Sequence, residues 1–190
     1  MFQDLDSTLA ELLKRGLPPA LANQVSISFD TPDAQFPPSS LALPTLNLFL
    51  YEIQENRELR STEPLLERQA SGRVLSLPPP VRVDCRYLVT AWAKPGVPLP
   101  HQDEHRILGE ALRVLLRHRE IPSEALRGDL VTQALPLRTV VLQGGQQQSR
   151  VDIWQALGGK PRASFYYAVT VGVEVGEPED VGAVASVVKA

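Results

Sequence analysis

The stretch Val81-Arg82-Val83-Asp84-Cys85-Arg86-Tyr87-Leu88-Val89-Thr90-Ala91-Trp92-Ala93 decides the fold. Read with a period of two, Val81, Val83, Cys85, Tyr87, Val89, Ala91 and Ala93 share one face. Arg82, Asp84 and Arg86 share the other, followed by Leu88, Thr90 and Trp92. Successive side chains of a strand point to opposite sides of its sheet, so this is a long strand with one face in a core throughout. Its other face starts wet and ends covered.

Working outward, Thr45 to Gln54 is apolar on both faces in its first half, the pattern of a central strand. Ser164 to Val175 puts Phe165, Tyr167, Val169, Val171, Val173 and Val175 on one face, a second long strand. Val25 to Phe29 and Leu137 to Leu142 read as shorter strands. Two stretches carry helical spacing instead. Leu5, Leu9, Leu12 and Leu13 line one face of a helix from Leu5 to Arg15, which Asp4 or Asp6 can cap and Gly16 can end. The main helix runs from Asp103 to Arg119. Ile107, Leu108, Ala111, Leu112, Val114, Leu115 and Leu116 form its apolar stripe, and Asp103 is its expected cap. Gly109 lies inside it, which a close helix–sheet contact would explain. Pro122-Ser123 opens a short helical turn that Gly128 closes, and Asp152 and Gln155 stand at capping-box spacing at the start of a small helix.

Proline punctuates the rest. Thr31 to Pro44 is a long Pro/Ser loop, of a kind often functional or mobile. Glu55 to Arg73 is a charged excursion, either a hairpin extension or a disordered loop, and Gln143 to Ser149 reads as a flexible Gln-rich tip. The elements do not alternate strictly as strand and helix, so the expected class is α+β (mixed α/β). It is a single domain with a central mixed, largely antiparallel sheet packed by about two main helices. Residues 1–175 form the body and 176–190 a C-terminal arm, whose Val181 to Val188 is apolar, small and uncharged.

The bulk numbers bound the function. The chain has 190 residues, 43% hydrophobic and 22% charged, with a net charge of −3 and 19 scattered Lys and Arg. No basic excess marks a nucleic-acid binder, and no apolar run is long enough to span a membrane. A lone Cys85 leaves no internal disulfide, as in a reducing compartment. The opening Met1-Phe2-Gln3-Asp4-Leu5-Asp6 has neither basic nor apolar signal-peptide regions, so synthesis in the cytosol is expected.

A search for chemistry finds little. Gly144-Gly145 and Gly158-Gly159 lack the context of a phosphate loop. His101 and His105 are four residues apart, but His101 is expected to precede the helix, and a metal site needs three or four ligands. Cys85 sits on the apolar face of a strand, where a thiol is inert. No catalytic, metal-binding or cofactor-binding residue is assigned, and no cofactor is expected.

Four segments carry a resemblance. They are Val25-Ser26-Ile27-Ser28-Phe29-Asp30-Thr31-Pro32, Pro44-Thr45-Leu46-Asn47-Leu48-Phe49-Leu50-Tyr51-Glu52-Ile53-Gln54-Glu55-Asn56, Arg82 to Trp92, and Glu104-His105-Arg106-Ile107-Leu108-Gly109. With the closing Tyr166 to Val175 strand, the chain resembles the N-terminal domain family of the cap protein of extracellular contractile injection systems, the particles of antifeeding-prophage and virulence-cassette type. The resemblance implies a structural subunit similar to phage tail terminators and no enzyme. It implies a hexameric ring that ends inner-tube and sheath growth and ties the two together. Its partners would be itself and the tube and sheath proteins, in a particle assembled in the cytosol and released extracellularly. A baseplate or tail-adaptor subunit is the alternative, and a small hydrolase a remote one. The expected interface residues are Arg57, Glu58 and Arg60 in the charged excursion. Val181, Val184, Val187 and Val188 complete the set, as a strand added to a neighbouring subunit.

Overall fold

The structure, a computed structural model, describes residues 1–133, 135–142 and 150–180. Its helices are α1 (Phe2–Gly16), α2 (Pro19–Ala22), α3 (Pro100–Arg117) and α4 (Arg150–Ala156). The strands are β1 (Ser26–Ser28), β2 (Thr45–Glu55), β3 (Leu65–Arg68), β4 (Val74–Leu77), β5 (Val81–Trp92), β6 (Arg138–Val141), β7 (Ser164–Val173) and β8 (Glu179–Asp180). A five-stranded sheet in the order β1-β2-β5-β7-β6 forms the body. Only β1 and β2 run parallel, and the remaining neighbours are antiparallel. This is the mixed, largely antiparallel sheet expected. The alternating stretch Val81–Trp92 is its middle strand, hydrogen-bonded along both edges.

One face of the sheet carries the main core. Leu5, Leu9, Leu12 and Leu13 of α1 and Ile107, Leu108, Ala111, Val114 and Leu115 of α3 are buried there. They pack on Leu46, Leu48, Cys85, Tyr87, Val89, Ala91, Phe165, Tyr167, Val169 and Val171. An isolated helix the length of α1 is marginal in water. Each buried leucine stabilises it by about 1.5–3 kcal/mol, so packing rather than propensity holds it.

The opposite face has two halves. Over one half, Leu88, Trp92 and Tyr166 form a second core with Phe36, Ile153 and Trp154. The long Pro/Ser loop is therefore a cover. Its Pro32 and Phe36 are buried, and Leu41 and Leu43 pack beside them. Phe36 stacks on Trp92 at 4.7 Å between ring centroids. On the far side of Trp92, the Arg162 guanidinium lies 3.8 Å from a ring centroid and pairs with Glu104 at 2.5 Å. The second half of this face is polar, and no described residue packs a core over it.

A register shift between Leu50 and Glu52 sorts the two faces. Strict alternation from Leu46 and Leu48 would carry Glu52 into the main core. The bulge instead sets Glu52 opposite Arg86, where the two pair at 3.0 Å, and brings Tyr51 to within 5.6 Å of the Tyr166 ring.

Several local expectations change. Neither Asp4 nor Asp6 caps α1, which starts at Phe2. Helix α3 starts at Pro100, so Asp103 lies in its first turn rather than at its cap, and His101 lies inside the helix. Pro is pre-organised for that opening position. Helix α4 starts at Arg150, which places Asp152 in its first turn too. The apolar stripe of α3 is narrower than expected, because Leu116 is 53% exposed. Gly109 makes no close contact, and a Cβ added there meets nothing within 4 Å. Gly128 does not close the turn at Ser123–Ala125 but opens another, Gly128–Thr132, with φ +58°. Strand β7 ends at Val173, and Val175 is 62% exposed. Of the two readings of Glu55 to Arg73, the hairpin extension is the one found. Strands β3 and β4 pair, and β8 adds to β4. The expected tip at Gln143 to Ser149 lies outside the described residues.

Candidate interaction surface

The polar half-face is built by the wet end of β5. Asp84 stands opposite Thr170 and Gln54, and Arg86 opposite Ala168 and Glu52. On β6, Arg138 and Val140 extend the same rows past Thr170 and Ala168. Asp84 is saturated by donors. Asn56 Nδ2 donates to both its oxygens at 3.1 and 3.2 Å, and Thr170 Oγ1 donates to Oδ1 at 2.7 Å. An open cleft of about 480 Å³ lies over this floor, walled by Glu55, Arg57 and Glu58.

Two of the predicted contact residues, Arg57 and Glu58, stand at the rim of that cleft. Arg57 and Glu58 belong to a 3-10 turn, Arg57–Leu59, that Asn56 caps by accepting from the Leu59 N–H at 3.2 Å. Arg60 follows it, and all three side chains are exposed. Glu55 pairs with Arg60 at 3.6 Å and with Arg57 at 3.9 Å. Exposed pairs of this kind contribute about 0–1 kcal/mol, so these groups remain available to a partner. Val181, Val184, Val187 and Val188 lie outside the described residues.

Sequence reasoning missed the neighbouring feature. Arg82, read as the wet start of β5, is 7% exposed. Its burial comes from distant segments. A second cleft of about 260 Å³ is lined by Leu59, Ser61, Glu63, Pro79, Pro80, Arg82, Leu135, Pro136 and Arg138. Burial, and secondarily the nearby Arg138 charge, disfavour the Arg82 cation. The alternation Arg-Val-Asp-Cys-Arg marked the face; only the fold shows what comes over it.

The other candidate groups stay apart. Cys85 is fully buried in the main core, and burial pushes its thiol up to about 12. His101 and His105 face each other with ring centroids 6.4 Å apart, both exposed. Among the described residues, no three His, Cys, Asp or Glu side chains gather as a metal site would require. No described helix is long and apolar enough to cross a membrane.

The fold and this surface define a mixed α/β protein that presents an open, polar half-face beside a charged hairpin. The chain belongs to the Pvc16 N-terminal domain family, whose model matches residues 4–185. No curated protein matches it. Among solved structures it is similar to the sheath/tube terminator of an extracellular contractile injection system, PVC, in its extended state. That match has a TM-score of 0.65 and 24% identity, over 100% of this chain and 62% of the other. It is also similar to the anti-feeding prophage cap, a tube-terminating cap, with a TM-score of 0.64 and 22% identity over 98% of this chain and 59% of that one. The chain thus spans about three fifths of the length of each. The family resemblance read from the sequence is borne out.

Proposed function

We propose that this chain is a cap, or tail-terminator, subunit of a phage-tail-like contractile injection particle. The observation that carries the reading is the fold match over essentially the whole chain to two terminators, within a shared family. Copies of the chain, six in the ring the resemblance implies, close on themselves through heterologous contacts. The ring sits on the last layer of tube and sheath, ends their growth and ties one to the other. The role is structural, with no reaction to catalyse. The particle assembles in the cytosol and acts after release.

In this reading residues 1–175 are the body of the subunit and 176–190 its arm. The residues Arg57, Glu58 and Arg60 and the arm residues Val181, Val184, Val187 and Val188 meet neighbouring subunits. The polar half-face and the charged hairpin support this, because ring contacts need exposed, directional groups on surfaces that the core does not consume.

The test is deletion of the gene, with particles imaged by negative-stain electron microscopy. Overlong, fraying or falling-apart tube–sheath assemblies on intact baseplates are expected. Particles of normal length and integrity would overturn the reading, and failure of tubes to nucleate would place the chain in the baseplate.

A further inference from the structure

Arg82 is a buried cation with no ion-pair partner among the described residues. Its side chain is 7% exposed, its Nε has no hydrogen-bond partner among the described residues, and its Nη2 donates one long bond, 3.4 Å, to the Pro136 carbonyl. The nearest acidic neighbour on its own strand, Asp84, is already occupied by Asn56 and Thr170. A guanidinium held out of water ordinarily finds a carboxylate with the geometry to take two of its N–H groups. The residue opposite Arg82 on β7 is Gly172, which contributes no side chain. The space is therefore left to the cleft of about 260 Å³, which Arg82 and Pro136 both line.

A second guanidinium reaches the same cleft. Arg138 is more than half exposed and is held only loosely, by exposed Glu120 at 3.8 Å. The Arg138 charge disfavours the Arg82 cation, against the favourable Asp84 charge. An anion between them relieves both the repulsion and the missing bonds. Besides Ser61 and Glu63, the rest of the wall is apolar, from Leu59, Pro79, Pro80, Leu135 and Pro136. That composition suits a carboxylate carried on a chain with apolar neighbours.

We propose that this cleft receives an Asp or Glu side chain of a partner polypeptide, with Arg82 as its buried anchor and Arg138 at its mouth. Glu63 is exposed on the same wall, so its charge opposes an incoming carboxylate. The proposal rests on this geometry and stands apart from the terminator reading.

The test follows the Arg82 side-chain N–H signal by nuclear magnetic resonance in the full chain. The probes are acetyl-Leu-Glu-Leu-amide, its Gln counterpart and free glutarate. The Glu peptide is expected to give a saturable shift, the Gln peptide none, and glutarate a weaker one. Glu63→Gln is expected to tighten binding. Arg138→Met, at the exposed mouth, is expected to weaken it about tenfold, the loss of one charge-assisted contact. Arg82→Met is expected to abolish binding while leaving the thermal midpoint equal or higher, because an unpaired buried charge has gone. No shift with the Glu peptide would overturn the proposal, as would equal binding of the Gln peptide. Glutarate binding as tightly as the Glu peptide would mean a site for free carboxylates and overturn the polypeptide partner. Should Arg82→Met fail to fold, Arg82 is structural, and unchanged binding in Arg138→Met then sinks the two-arginine site.

Discussion

The Tyr87 hydroxyl donates to Asp6 Oδ1 at 2.9 Å, joining the middle of the central strand to the first helix. Tyr87 is fully buried and Asp6 partly so. Burial raises the Asp6 pKa from 3.8, and the hydrogen bond opposes that rise. The charged form is thus penalised in the fold. The favourable contribution of protonated Asp6 is complete below its unfolded value and is lost as pH rises through its folded one. Tyr87→Phe removes the donor and leaves the carboxylate desolvated, so it should cost about 1.5–3 kcal/mol at neutral pH. Asp6→Asn should keep an acceptor, hold or raise the denaturant midpoint at neutral pH, and flatten the acid side of the stability profile. Chemical denaturation across pH measures both.

Two helical glycines should respond with opposite signs. A Cβ at Gly16 collides with the Val114 side chain, where α1 approaches α3. Gly16→Ala should therefore destabilise by about 1–3 kcal/mol. Gly109 has open space around it, and Gly109→Ala should stabilise by about 1 kcal/mol through helix propensity. Thermal midpoints of the two variants decide it.

Cys85 should resist alkylation. With its thiol pushed up to about 12 and no exposed surface, almost no thiolate is presented at neutral pH. Iodoacetamide labelling of the native chain should proceed only as fast as unfolding, and addition of denaturant should release it. Rapid labelling under native conditions would show that β5 opens locally.

The second core should be costly to lose. Trp154 is 2% exposed beneath Phe36 and Trp92. Trp154→Ala should cost about 3–5 kcal/mol and free the 31–44 loop for proteolysis. Limited digestion followed by mass spectrometry reports the cleavage site.

Reversing both Arg57 and Arg60 to Glu should leave stability within about 0.5 kcal/mol, since their pairs with Glu55 are exposed. Ring and particle assembly should nevertheless be impaired. Assembly equal to the parent's, scored by electron microscopy, would remove these residues from the interface.

The strands β2, β5 and β7 were legible because alternation along a half-buried strand records which face meets a core. The leucines of α1 recorded its helical face in the same way. The family was legible from four segments before any coordinate. The clefts beside the hairpin were not legible. Arg57, Glu58 and Arg60 were singled out from a charged excursion and are exposed, but Arg82 and Arg138 were not singled out, because each reads as an ordinary surface arginine in its own strand.

The sequence by itself determined the period of the main strands and helices, which of their faces are apolar, and the family to which the chain belongs. Those are local regularities, and a local regularity is written in neighbouring residues. Only the tertiary structure decided that the Pro/Ser loop is a lid over Trp92, that a bulge turns Glu52 away from the core, and that Arg82 is buried. Whether a position is covered depends on which remote segment folds over it. For Arg82 that segment is the one at Leu135-Pro136, more than 50 residues along the chain.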